Sequence, residues 1–128
     1  MKKLISIALI LALSGCVNVS ESGYYWGDYS HTYYSFLKEP NKETIAKHYE
    51  SLIDIVETSS EQNLRVPAGI YAELGYIHSQ KGEAETALVF YAKEVELYPE
   101  AALFIGALIE QQKTQISTKQ TKVEEQQS

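Results

Sequence analysis

The sequence is poor in cysteine and in positive charge. Cys16 is the single cysteine among 128 residues, so an intramolecular disulfide is impossible. The chain has 11 basic and 17 acidic residues, for a formal net charge of −6. Because nucleic-acid binding needs clustered lysine and arginine, this balance argues against a nucleic-acid partner. The length and the 45% hydrophobic content suit one small domain.

Sequence motifs of enzymes are also missing. The chain has no G-x-S-x-G, H-E-x-x-H, phosphate-loop or glycine-rich dinucleotide pattern. His31, His48 and His78 are scattered along the chain, and the pattern places His48 on a helix surface rather than in a metal site. Helical spacing places most of the other candidate acid–base groups on a solvated face; these groups are Glu73, Glu83, Glu85, Glu94 and Glu96. We therefore expect no catalytic residue, no metal and no cofactor, and a protein that is not an enzyme.

The apolar run at the start of the chain is too short to cross a membrane. Leu4–Leu13 is apolar except for Ser6, and it follows a start with two lysines. Ten helical residues rise about 15 Å, whereas the hydrocarbon core of a bilayer is about 30 Å thick. A basic start, a short apolar stretch and a small-residue exit are typical of a secretory signal.

The four residues Leu13-Ser14-Gly15-Cys16 resemble the lipobox of bacterial lipoproteins. The resemblance implies cleavage before Cys16 and attachment of diacylglycerol to its thiol, with further acylation by chains such as palmitate. It divides the start of the chain into a signal peptide at 1–15 and a lipidated tether at 16–23. An ordinary secreted protein or a short uncleaved anchor is the alternative interpretation. Val17 is not the aspartate that retains such proteins at the inner membrane, so we expect the periplasmic face of the outer membrane.

Helical periodicity characterises the rest of the chain, and no useful stretch alternates with period two. We predict an all-α fold of about five helices, at about 28–38, 42–57, 67–80, 83–98 and 101–109. Asn41 is the predicted N-cap of the second helix, because its side chain can accept a hydrogen bond from a free amide. The expected bounds of this domain are 24–112. Residues 113–128 contain almost no apolar side chain, so we predict a polar disordered tail.

The third and fourth predicted helices resemble a tetratricopeptide repeat. Their combined length is close to the repeat's 34 residues. The repeat's large, small and breaking residues have counterparts at Tyr71, Leu74, Gly75, Gly82, Ala87, Tyr91 and Pro99. His78 and Glu94 depart from the pattern. The resemblance implies tetratricopeptide-like helical hairpins followed by a capping helix, and a concave binding face lined by Ala72, Tyr76 and Ser79.

The stretches YYWGDYS and VPAGIYAELGYI resemble a family of small, uncharacterised bacterial lipoproteins. Members of that family are encoded beside a lipoprotein similar to the curli secretion channel. The resemblance implies a shared envelope assembly, with such a channel-like lipoprotein as a candidate partner. We therefore expect a non-catalytic protein–protein interaction adaptor that assembles an envelope or secretion complex. The alternative is a peptidoglycan-binding lipoprotein that uses exposed aromatic side chains.

The segment from Tyr24 to Phe36 is unusually rich in aromatic residues. Two interpretations remain open, a packed core and a docking surface, because aromatic side chains serve both. Helical spacing predicts that Trp26, Tyr29 and Tyr33 face inward. Tyr24 and Tyr25 lie off that stripe and are predicted to bind a partner.

We predict that Cys16→Ser leaves an uncut and unlipidated precursor, because serine cannot form the thioether. Labelling of cells with a palmitate analogue should give no labelled product, and the protein should keep the size of the precursor. A variant that still labels and still fractionates with the outer membrane would show that the lipoprotein interpretation is wrong.

Overall fold

The computed structural model describes residues 23–127, so the predicted signal peptide and Cys16 lie outside it. The described part is all-α, with five α-helices and no strand, as the sequence predicts. The helices are α1 (Tyr29–Lys38), α2 (Lys42–Glu61), α3 (Ile70–Gln80), α4 (Ala84–Leu97) and α5 (Ala102–Gln127), with a 3₁₀ turn at Pro99–Ala101. Each helix packs against the next, and α3 with α4 forms the most extensive pair. None of the described helices is both long enough and apolar enough to span a bilayer.

A capping box starts α2. The Asn41 side chain accepts hydrogen bonds from the amides of Glu43 and Thr44, at 2.9 and 3.0 Å. The Thr44 hydroxyl in turn accepts one from the Asn41 amide, at 3.0 Å. These reciprocal bonds satisfy amides that the first turn of a helix leaves without partners. The N-cap predicted at Asn41 is therefore confirmed.

The core consists of two clusters along the row of helices. The first joins α2 to α3 and the loop before α3 through Leu52, Ile55, Val66, Ile70 and Leu74. The second joins α4 to α5 through Ala87, Tyr91 and Ile105. Each fully buried large apolar side chain contributes about 1.5–3 kcal/mol. The helices α2 to α5 are therefore held by apolar packing.

Glu94 is buried, although its spacing predicts a solvated face. Its carboxylate accepts hydrogen bonds from the amides of Gly69 and Ala72, at 2.7 and 3.3 Å. These amides belong to the N-terminus of α3, where the helix dipole favours negative charge. Gly69 has a φ of +94°, a backbone conformation that suits glycine. Where the sequence departs from the tetratricopeptide pattern at Glu94, the side chain therefore caps the N-terminus of α3.

Two helices are longer than the sequence pattern predicts. The helix α2 continues to Glu61, where we expect a loop from residue 58. The helix α5 continues to Gln127, where we expect a disordered tail over 113–128. Glutamine, lysine and glutamate favour helices, and neither glycine nor proline follows Gly106. Two contacts also hold α5 against the end of α3: Gln112 Nε2 donates to Ser79 Oγ at 2.9 Å, and Lys119 Nζ donates to the Gly82 carbonyl at 2.8 Å.

The close approach of α3 to α4 depends on a glycine. A Cβ atom at Gly75 would lie 2.6 Å from the Tyr91 ring, closer than carbon atoms tolerate. Tyr91 is fully buried, so its ring has little room to move. Gly106 in α5 is the opposite case, because nothing lies within 4 Å of an added Cβ there.

We predict opposite effects for one substitution at these two glycines. Gly75→Ala should lower the free energy of unfolding by about 1–3 kcal/mol, because the added methyl group overpacks the contact with Tyr91. Gly106→Ala should raise it by about 0.5–1 kcal/mol, because alanine restricts the unfolded chain and favours the helix. Urea unfolding followed by circular dichroism measures both. Equal midpoints for the two variants would contradict the close crossing of α3 and α4.

Candidate binding cleft

A cleft of about 230 Å³ opens between α1, α2 and α3. Apolar and aromatic side chains form most of its wall, and the lining residues are Tyr33, Phe36, Ile45, His48, Glu73, Tyr76 and Ile77. Three of them remain open to solvent, with exposed fractions of 38% for Tyr33, 37% for Ile45 and 55% for Tyr76. A concave apolar surface with a few polar groups is typical of a binding site.

The imidazole of His48 forms part of the lining and is only 3% exposed. Its Nε2 atom lies 2.8 Å from Oε2 of Glu73 on α3. Its Nδ1 atom lies 3.1 Å from Oγ1 of Thr32 on α1. A single buried ring of α2 therefore links all three helices of the cleft. The sequence pattern placed His48 on a helix surface, and the structure shows that this is wrong.

The second oxygen of the Glu73 carboxylate also has a partner. The Tyr29 hydroxyl donates a hydrogen bond to Glu73 Oε1. Burial raises the pKa of Tyr29, and the bond to Glu73 raises it further, so the hydroxyl stays a donor over the physiological range. The Glu73 side chain remains 32% exposed. This carboxylate is thus fixed by two side chains while part of it faces the cleft, whereas its spacing predicts an ordinary solvated face.

Two proton arrangements satisfy these contacts. In the first, neutral His48 donates from Nε2 to Glu73, and the Thr32 hydroxyl donates to Nδ1. In the second, a protonated ring donates to both partners, and the Thr32 hydroxyl donates to the carbonyls of Asp28 or Tyr29, at 3.2 and 3.1 Å. Glu73 accepts a hydrogen bond in both arrangements.

The order hydroxyl, imidazole, carboxylate resembles a nucleophile relay. Thr32 is only 8% exposed, however, and backbone carbonyls lie within hydrogen-bonding distance of its hydroxyl. A nucleophile must reach its substrate, so the geometry supports a role in joining helices. No cluster of three or more histidine, cysteine, aspartate or glutamate side chains suited to a metal ion occurs within residues 23–127.

Aromatic rings of α1 and of the segment before it pack against one another beside the same cleft. The rings of Trp26 and Tyr29 meet edge to face at 5.4 Å, and those of Tyr29 and Tyr33 stack at 5.5 Å. Phe36 stacks on His48 at 5.9 Å. The prediction that Trp26 and Tyr33 face inward is wrong, because they are 45% and 38% exposed. The helix α1 lies at the edge of the row and packs mainly on α2. Tyr29 and Thr32 are therefore the residues of α1 that its neighbours cover.

The structure separates the five residues predicted to bind a partner. Tyr76 lines the cleft. Ala72 packs against the second core cluster of α4 and α5, and Ser79 accepts a hydrogen bond from Gln112 of α5, so the chain's own helices pack on their side of α3. Tyr24 is 46% exposed and lies outside the cleft lining. Tyr25 is half-buried and donates a hydrogen bond to Asp54 Oδ2 at 2.9 Å, which raises the pKa of this tyrosine.

Sequence reasoning missed His48 and Glu73 as lining residues of the cleft. A signal for His48 was present, because His48, Leu52, Ile55 and Ser59 repeat at i, i+4, i+7 and i+11 and are all buried. A helical stripe defined by apolar residues alone does not include a histidine, so hydrophobic periodicity does not identify His48. Glu73 has no comparable signal, because its partners come from α1 and α2.

We predict that His48→Ala lowers the free energy of unfolding by about 1–3 kcal/mol, since it removes hydrogen bonds to Glu73 and Thr32 in a buried place. His31→Ala is the matched control, because His31 is an exposed histidine on α1. That variant should stay within about 0.5 kcal/mol of the wild type. Urea unfolding of the full chain measures both, and a silent His48→Ala would show that the link between the three helices carries little free energy.

A comparison with protein families matches residues 24–108 to DUF4810, described as a domain of unknown function. The matched span contains every residue that lines the cleft. Comparisons with the curated proteins and with the solved structures give no significant match. The match covers most of the sequence, and the chain therefore belongs to the DUF4810 family.

Proposed function

We propose that this chain is an outer-membrane lipoprotein that acts at the periplasmic face as a non-catalytic adaptor for an envelope or secretion complex. The observation that carries the adaptor role is the open aromatic cleft between α1, α2 and α3. The lipobox-like residues before Cys16 support a lipid anchor at that thiol. The first candidate partner is another envelope lipoprotein of the curli-secretion-channel type, as the family resemblance suggests.

The composition of the cleft favours a protein partner. Tyrosine is enriched at protein interfaces because it supplies a large contact area with few rotatable bonds. Tyr33 and Tyr76 stand on opposite helices of the cleft, α1 and α3, with Ile45 of α2 also in the lining. The hydrogen bonds of His48 fix these helices before any partner arrives. Such preorganisation reduces the entropy lost on binding.

The arrangement of α3 and α4 supports the tetratricopeptide-like interpretation of the domain. Gly75 permits the close crossing with Tyr91, as the small position of the repeat would. Gly82 has a φ of +77° in the turn between the helices, and Pro99 follows the end of α4. In this interpretation α5 is the capping helix. Helical hairpins of this kind commonly serve as binding scaffolds.

Site-specific photocrosslinking in intact cells tests the proposal. A photoreactive phenylalanine analogue replaces Tyr76 in one strain and Val89 of α4 in another. The two positions are a matched pair, because their exposed fractions are 55% and 56% and Val89 lies outside the cleft. We expect a crosslink from position 76, identified by mass spectrometry as an envelope protein, and none from position 89. Crosslinks of equal yield from both positions, or from neither, would contradict an adaptor that works through the cleft.

The exposed indole of Trp26 favours peptidoglycan as the second candidate ligand. Trp26 is 45% exposed and meets Tyr29 edge to face, and aromatic rings of this kind can stack on sugars. Pull-down of the full chain on purified sacculi separates the two functions. Binding to sacculi that Trp26→Ala abolishes, without a protein crosslink from position 76, would favour the peptidoglycan-binding alternative.

A further inference from the structure

We infer that the cleft binds one arginine side chain of the partner protein, with Glu73 as its counter-ion and the aromatic wall around its guanidinium group. The inference rests on the proposed function, because it specifies which feature of a protein partner the cleft recognises. Three observations carry it: the position of the Glu73 carboxylate, the residue types of the wall and the size of the cleft.

The Glu73 carboxylate is fixed by two side chains and remains partly exposed to the cleft. It receives a hydrogen bond from Tyr29 on one oxygen and contacts His48 on the other, at 2.8 Å. A carboxylate has about four acceptor positions, so two such contacts leave acceptor capacity toward the cleft. A charged acceptor in an apolar wall favours a cationic donor over a neutral one.

The wall suits a guanidinium group in particular. The aromatic residues Tyr33, Phe36 and Tyr76 share the lining with Glu73. A guanidinium group is planar, stacks on aromatic rings and can donate two parallel hydrogen bonds to one carboxylate. The aliphatic stem of the same side chain can lie along Ile45 and Ile77. An ammonium group would use the carboxylate but would gain less from the flat rings.

Size and charge agree with this occupant. The cleft holds about 230 Å³, below the roughly 300–1,000 Å³ that drug-sized ligands occupy. That space accepts one long side chain rather than a helix. His48 is the one basic residue in the lining, and it already contacts Glu73. The formal net charge of −6 adds a long-range attraction for a basic segment.

Two peptide probes that differ only in charge test the inference. The full chain in detergent is titrated with acetyl-Leu-Arg-Leu-amide and with the same peptide carrying citrulline, the neutral isostere of arginine. Binding is followed by isothermal titration and by NMR signals of the tyrosine rings. We expect the arginine peptide to bind about tenfold more tightly than the citrulline peptide and to shift the signals of Tyr33 and Tyr76. Equal binding of the two peptides, or binding of neither, would overturn the inference.

Variants locate the binding and control for folding. Glu73→Gln should weaken the arginine peptide about tenfold and leave the citrulline peptide unchanged, because it removes the charge and keeps a similar shape. Glu100→Gln is the control, since Glu100 is an exposed acid outside the cleft lining. It should leave both affinities unchanged. If Glu73→Gln disturbs folding, Tyr76→Ala replaces it, because Tyr76 is 55% exposed and contributes no side chain to the His48 hydrogen bonds.

Failure of this inference differs from failure of the proposed function. A crosslink from position 76 to an envelope protein, without a preference for arginine over citrulline, would keep the adaptor and refute the arginine site. Preference for arginine without any crosslink to an envelope protein would refute the adaptor and leave the cation site in place.

Discussion

The contact between His48 and Glu73 is the interaction on which the cleft depends. It fastens α2 to α3, and the remaining atoms of the same two side chains reach Thr32 and Tyr29 of α1. A helix of ten residues, such as α1, is marginal in water without tertiary support. The hydrogen bonds therefore do more than satisfy buried polar groups. They set the distance between the walls that Tyr33 and Tyr76 form.

Two glutamates fix α3 in different ways. Glu94 of α4 accepts hydrogen bonds at the N-terminus of α3, and Glu73 on α3 itself reaches back to α1 and α2. Further along, Gly75 allows the Tyr91 ring of α4 to pack closely against the same helix. The helix that carries Tyr76 is thereby held at its start and in its middle. Such a position leaves little freedom for the wall of the cleft, which suits recognition of a planar group.

Features that depend on a residue's own size or backbone chemistry could be predicted from the sequence. The N-cap at Asn41, the close crossing at Gly75 and the break at Pro99 follow from side-chain size and backbone chemistry, and the structure has all three features. The all-α class and the number of helices followed from periodicity in the same way. The cleft could not be predicted so directly. Buried His48 and Glu94 violate the rule that polar side chains face water, and only partners from other helices reveal why they do so. The end of α5 was misjudged because composition indicates solvation, whereas the contacts of Gln112 and Lys119 come from tertiary structure.

The packing of α4 and α5 beside α3 also determines which side of α3 stays open to a partner. On the side of α3 that carries Ala72 and Ser79, Ala72 packs against the second core cluster, and Ser79 accepts a hydrogen bond from Gln112 of α5. The chain itself therefore occupies much of that side. The neighbouring side of α3, with Glu73, Tyr76 and Ile77, faces the cleft. The cleft is therefore the open side of α3 to which the proposed partner would bind. With one such cleft in the described residues, avidity in the proposed complex would come from several chains gathered on one assembly.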